Sequence, residues 1–157
     1  MSRIVKEYKK IKKVLEGHGE AFENLIVQLA PVNEYDLLSW KATIRGPSDT
    51  PYNGFSIGLT IKIPSDYPIS PPMVKFEPYK MPHCNVNFQT GEICLDILTR
   101  QHWSPAWDLL HVLKAIEQLL QEPVPESPLN VDIANILKEG DRTAYTGLVR
   151  YYFCGGT

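Results

Sequence analysis

Residues 55–63, Phe-Ser-Ile-Gly-Leu-Thr-Ile-Lys-Ile, alternate without a break. Phe55, Ile57, Leu59, Ile61 and Ile63 fall on one side of an extended chain, and Ser56, Gly58, Thr60 and Lys62 on the other. A strand with one dry and one wet face suits an antiparallel sheet covered on a single side. The next nine residues, Pro-Ser-Asp-Tyr-Pro-Ile-Ser-Pro-Pro, hold four prolines; without those four backbone donors they form neither a helix nor a central strand. Residues 73–77 then supply a short strand. Upstream, residues 24–29 and 37–44 read as two more, the second alternating through Leu38, Trp40, Ala42 and Ile44, with a polar turn over 33–36 between them. Four successive strands with short connections predict an antiparallel meander.

Helical spacing brackets these strands. Ile4, Tyr8, Ile11 and Leu15 recur at that spacing over residues 2–17, with Gly17 as the stop. Residues 108–122 carry Leu109, Leu113, Ile116 and Leu120 on one face, widened by Val112 and Leu119, and this helix is expected to cover the sheet. Residues 131–140 and 141–153 give two shorter helices, with Asp141 as an N-cap. Between 78 and 107 periodicity is weak and special residues are dense, the mark of a long ordered and functional loop. The expectation is one α+β domain over residues 1–157: an N-terminal helix, a four-stranded antiparallel meander, a long functional loop, a central helix and two C-terminal helices.

With 16 basic and 18 acidic side chains the formal net charge is −2, so the balance calls for neither nucleic acid nor an anionic membrane surface. No stretch reaches the roughly 18 apolar residues of a membrane span, and the charged start, Met-Ser-Arg-Ile-Val-Lys-Glu-Tyr-Lys-Lys, is unlike a signal peptide. Three cysteines without a Cys-x-x-Cys pair argue against a secreted disulfide framework. A cytoplasmic protein is expected.

The chemistry concentrates around Cys94, between Ile93 and Leu95. A cysteine so flanked is by default a small buried hydrophobe. Yet its loop also holds His83, Asn85, Asn87, Gln89, Thr90 and Gly91, more polar groups than a sheltered thiol requires. Acyl transfer to a thiolate needs an accessible sulfur and a donor for the oxyanion formed when a carbonyl is attacked, and an Asn side chain can supply that donor. Zinc is disfavoured: His83, Cys84, Cys94 and His102 match none of the paired spacings of zinc sites. A Cys-His hydrolase needs one of His83, His102 or His111 beside Cys94, and the sequence singles out no such pair. His111 reads as a surface or boundary residue.

Four motifs in order, Tyr-Pro-Ile-Ser-Pro-Pro, His-Cys-Asn-Val-Asn-Phe-Gln-Thr-Gly-Glu-Ile-Cys-Leu-Asp-Ile-Leu, Trp-Ser-Pro-Ala-Trp and Ser-Pro-Leu-Asn-Val-Asp-Ile-Ala-Asn-Ile, resemble the ubiquitin-conjugating (E2) enzymes over essentially the whole chain. Cys84 stands where that family usually has proline in His-Pro-Asn. With the N-terminal sequence and Trp107-Asp-Leu-Leu-His111, this departure resembles the peroxisomal branch, the ubiquitin-conjugating peroxins of yeasts. The resemblance implies that Cys94 accepts ubiquitin from the activating enzyme as a thioester, with ATP spent upstream and no cofactor or metal here. It places Asn85 on the motif asparagine, as oxyanion donor or loop-ordering residue, and His83 on a chiefly structural histidine. Asp96 matches a residue near the thioester and is read as a loop-ordering hydrogen-bond acceptor.

On the acceptor side, many lysine-directed members place an acid directly before the motif proline; here Ser127 stands there, with Glu126 one residue earlier. The family's ligase-binding surface maps onto Arg3, Ile69 and the Ser104-Pro105-Ala106 loop. The partners implied are ubiquitin, the activating enzyme, a RING-type ligase, a membrane-anchored peroxin that recruits the enzyme to the cytosolic face of the peroxisome, and an import receptor as substrate. Cys84 lies ten residues before Cys94, and a regulatory disulfide that draws on Cys84 or Cys154 competes with a reduced, partly buried Cys84. Tyr151, Tyr152 and Phe153 read as one face of a packed helix or as a partner patch. The rivals are a non-catalytic binding module of the same fold and the Cys-His hydrolase.

Overall fold

The computed structural model describes residues 2–18 and 22–155. The order of elements is α1 (Arg3–Lys13), β1 (Ile26–Asn33), β2 (Asp36–Arg45), β3 (Ser56–Lys62), β4 (Met73–Phe76), α2 (Leu109–Gln121), α3 (Val131–Lys138) and α4 (Arg142–Phe153). The four strands form one antiparallel sheet in the order β1-β2-β3-β4. The meander follows from the alternation in each strand: Ile57, Leu59 and Ile61 pair across β2 with Ile44, Ala42 and Trp40, which puts all six on the dry face. Lys41, Thr60 and Lys75 line up in register on the wet one.

Two details depart from the expected alternation. Leu38, at the start of β2, is 46% exposed instead of buried, because the dry face of that strand begins only at Trp40. β1 runs on to Asn33 through Pro31, which an edge strand tolerates because its outer side needs no donor.

Leu109, Val112, Leu113, Ile116 and Leu120 of α2 join the sheet's inner residues in one continuous core. α1 ends in a widened turn over Val14–His18, closed where Gly17 takes φ 97°. Carboxylate or amide side chains cap the later helices: Asp108 accepts from the amide of His111, Asn130 from Ile133 and Asp141 from Ala144. At the far end of α4, Phe153 stacks on Phe55 at 5.0 Å and Tyr152 packs on Phe88 at 4.8 Å, so only Tyr151 of that trio stands open, at 56% exposure. Among the described residues no helix is long and apolar enough to cross a membrane.

Candidate active site

The stretch expected as a loop folds its middle into a tight hairpin. Cys94 N donates to Asn85 O at 2.8 Å, Val86 and Ile93 bridge antiparallel, and Asn87 N donates to Glu92 O at 2.9 Å. The Asn87 side chain turns the tip by accepting from the amides of Gln89 and Thr90. Gly91 has φ 80° and packs on the Phe76 backbone, where a Cβ would collide with the carbonyl oxygen. Through the Phe76 amide, which donates to Gly91 O, the hairpin is fastened to β4. The polar residues that crowd Cys94 in the sequence therefore build the turn that holds it.

This frame sets Asn85 and Cys94 directly opposite each other and gives them different environments. Cys94 is exposed and carries a free thiol, which removes the buried-hydrophobe reading. Asn85 is 1% exposed and its side chain is fully engaged. Nδ2 donates to the carbonyls of Val124 at 2.8 Å and Ser127 at 3.1 Å, and Oδ1 accepts from the Val124 amide at 2.9 Å and from the Cys84 thiol at 3.3 Å. The Cys84 carbonyl takes the amides of Leu129 and Asn130. Cys84 and Asn85 thus grip the loop between α2 and α3 at both ends. Ser127 and Glu126 project from the gripped loop with exposed side chains.

His83 is fully buried. Its Nδ1 accepts from the Asn85 amide at 2.9 Å, so Nε2 carries the hydrogen and donates it to Leu119 O at 3.0 Å. Burial lowers its pKa to about 4, only partly opposed by the Leu119 contact. A neutral imidazole with both nitrogens occupied is a brace between the hairpin and α2. His102 Nδ1 lies 3.1 Å from Thr99 Oγ1, and His111 stacks on Trp107 at 4.8 Å. Among the described residues no histidine hydrogen-bonds to Cys94, and no group of three His, Cys, Asp or Glu side chains forms a metal cage.

Asp96 differs from expectation. It opens a single turn over Asp96–Leu98, and its backbone carbonyl, not its carboxylate, accepts from the amide and hydroxyl of Thr99. The carboxylate is exposed and makes no hydrogen bond with the described residues. Cys84 is fully buried and free, its thiol pushed up to about 11 by burial, against the amides of Val124 and its own backbone. Cys154 is exposed and free.

The remaining positions meet around the start of α1. Arg3 Nη1 donates to Pro105 O and Nη2 to Trp107 O, each at 2.6 Å, fixing the Ser104-Pro105-Ala106 loop to the start of α1. Ile69, 75% exposed, lies in the proline-rich segment joined to the same cluster, since Trp103 Nε1 donates to Pro68 O at 2.8 Å.

The residue that organises this end was not singled out from the sequence. Glu7 is 4% exposed; it accepts from Arg3 Nε at 3.1 Å, the Tyr67 hydroxyl at 2.6 Å and the Leu109 amide at 3.0 Å. Burial raises its pKa, against the Tyr67 and Leu109 hydrogen bonds and the Arg3 charge. The signal was present: a carboxylate three residues after Ile4 and four before Ile11 interrupts the buried stripe of α1.

Comparison with known proteins identifies the family. The family model described as ubiquitin-conjugating enzyme matches residues 3–153. A ubiquitin-conjugating enzyme E2-21 kDa of Saccharomyces cerevisiae is 49% identical over 155 residues, covering 97% of this chain and 85% of that protein. Protein PEROXIN-4 of Arabidopsis thaliana is 41% identical over 151 residues, covering 96% and 90%. The crystal structure of the H. polymorpha ubiquitin-conjugating enzyme Pex4p in complex with the soluble domain of Pex22p superposes with a TM-score of 0.91 at 45% identity, covering 97% of this chain and 94% of that one. The accessible thiol on its braced hairpin, the fold and these relatives together place the chain in the ubiquitin-conjugating (E2) enzyme family.

Proposed function

We propose that Cys94 carries ubiquitin as a thioester and passes it to a peroxisomal import receptor during receptor recycling. The observation that carries this reading is the contrast across the hairpin: an exposed, free thiol at Cys94 opposite a buried and fully bonded Asn85. Cys94 Sγ attacks the carbonyl of ubiquitin held on the activating enzyme; a new S–C bond forms, the old thiolate leaves, and the thiol proton passes to solvent. The acceptor then attacks the same carbonyl and Cys94 departs as thiolate. Both steps exchange acyl bonds alone and call for no cofactor.

Asn85 acts here as a positioning residue that sets the acceptor-side loop. Ser127 offers no base to an incoming amine. At neutral pH lysine, with a reference pKa of about 10.4, is almost wholly protonated, whereas cysteine at about 8.5 is partly ionised. A serine at this gate is compatible with a cysteine acceptor on the receptor. The peroxin-4 relatives, and the neighbour whose structure holds the soluble domain of Pex22p, support recruitment by a membrane-anchored peroxin to the cytosolic face of the peroxisome. A RING-type ligase engages Ile69, the Ser104-Pro105-Ala106 loop and the Arg3 end of α1.

Incubation with ubiquitin, its activating enzyme and ATP, followed by gels with and without reductant, tests the carrier step. Wild type gives a one-ubiquitin adduct that reductant removes, and Cys94→Ser gives a reductant-stable adduct or none. A reductant-labile adduct on the Cys94→Ser protein refutes the assignment. For the acceptor, discharge of the loaded enzyme to free lysine and free cysteine is compared for wild type and Ser127→Asp. The substitution raises the lysine rate relative to cysteine; an unchanged ratio refutes the gate.

A further inference from the structure

Away from Cys94, a cleft of about 380 Å³ opens between α4, the C-terminal end of α2 and the turn at residues 49–53. That volume lies within the roughly 300–1,000 Å³ range of ligand clefts. Its floor is apolar, made by Leu120, Leu137 and Tyr145. Its rim is cationic: Arg142 and Arg150 are both exposed, with Thr146 midway between them. Their spacing of four and four residues keeps all three on one side of α4.

Neither guanidinium makes an ion pair or hydrogen bond with the described residues. Asp49 is the one carboxylate in the lining. On a chain whose formal net charge is −2, this is a local excess of unmatched positive charge beside an apolar floor.

The geometry narrows what fits. At about 1.5 Å rise per residue the two arginines stand roughly 12 Å apart along α4. One small anion cannot sit close to both attachment points. An extended peptide advances about 3.3 Å per residue with alternate side chains on one face, so two acids four residues apart match the span and leave the side chain midway between them over the floor. We propose that this cleft docks an acidic segment of a partner protein, with one apolar anchor flanked by two carboxylates at that spacing. Occupancy bears on the active-site loop, because the Tyr145 hydroxyl lies 2.8 Å from that of Tyr52, which donates to the Pro82 carbonyl one residue before His83.

The test is fluorescence anisotropy with fluorescein-labelled Gly-Glu-Ser-Leu-Ser-Glu-Gly and the intact chain. Saturable binding is expected, weakening about tenfold in the Arg142→Glu/Arg150→Glu variant and by a similar factor when the peptide leucine is replaced by serine. Amide shifts on peptide addition fall at residues 49–53 and 142–150. Circular dichroism and ubiquitin loading of Cys94 stay at wild-type values in the variant, since neither arginine belongs to the active site. Equal binding by wild type and variant, indifference to the leucine, absence of saturable binding, or displacement by millimolar inorganic phosphate would each overturn the proposal; the last would leave a site for a simple anion.

Discussion

Replacing Asn85 by alanine separates the two roles an asparagine can play beside the cysteine proposed to carry ubiquitin. The substitution removes three hydrogen bonds to the 124–127 loop: Nδ2 to Val124 O at 2.8 Å, Nδ2 to Ser127 O at 3.1 Å and Val124 N to Oδ1 at 2.9 Å. At about 0.5–1.5 kcal/mol each, their loss costs roughly 3 kcal/mol of unfolding free energy, with water entering on the exposed Ser127 side to rescue part of it. Urea denaturation reads that number. Hydrogen exchange at the Val124 amide reads its location, because opening of the loop exposes this donor before the core unfolds.

Single-turnover discharge of the loaded enzyme supplies the third readout. If Asn85 works by holding the loop, Cys94 still loads from the activating enzyme, and discharge to a small free acceptor falls by less than the 10²–10³-fold typical of a lost oxyanion donor. The opposite pattern refutes the reasoning: stability within about 0.5 kcal/mol of wild type and unchanged Val124 exchange, with discharge down a hundredfold or more. That outcome requires Nδ2 to leave the two carbonyls and reach the reacting carbonyl in the loaded enzyme.

Three further outcomes follow from the geometry. His83, with a folded pKa of about 4 against 6.5 when unfolded, takes up its proton later in the fold than in the open chain. Its contribution is therefore intact above pH 6.5 and lost as pH falls towards 4, a decline of about 3 kcal/mol that urea melts at stepped pH detect and that His83→Gln flattens. Gly91→Ala places a Cβ against the Phe76 carbonyl at a φ of 80° and costs at least about 2 kcal/mol, measured by denaturation; a cost under 0.5 kcal/mol would show that the hairpin re-routes freely. Glu7→Ala strands the Tyr67 hydroxyl and Leu109 amide and costs about 3 kcal/mol, while Glu7→Gln, which keeps an acceptor for Leu109, costs less than half of that; equal costs would show that charge, not hydrogen bonding, holds this junction.

The sequence carried some of this arrangement plainly and the rest hardly at all, and the division follows the range of the interactions. The alternation of residues 55–63 and the helical stripe of 109–120 are local patterns, and strand, helix and dry face all follow from them. Leu38 was misassigned because a two-residue period says where a face points but not where its cover begins. The exposure of Cys94 was open for a different reason: Ile93 and Leu95 argue for burial, and only the hairpin pairing with Asn85 decides the matter. Asn87 and Gly91 were the available clue to that pairing, an Asx turn and a left-handed glycine between two short extended runs.

Asn85 and Glu7 are harder cases. Apart from Cys84 and Arg3, their partners lie 39–42 and 60–102 residues away, at positions whose own sequences show no matching pattern. The resemblance to a family could say which asparagine matters but not whether its protons were spare. With both Nδ2 protons directed at carbonyls, the competition between oxyanion donation and loop bracing becomes an energetic one. For Asn85 to donate to an oxyanion it must surrender at least one bond to the loop that presents Ser127, so support for the reacting carbonyl and order on the acceptor side draw on the same two hydrogens.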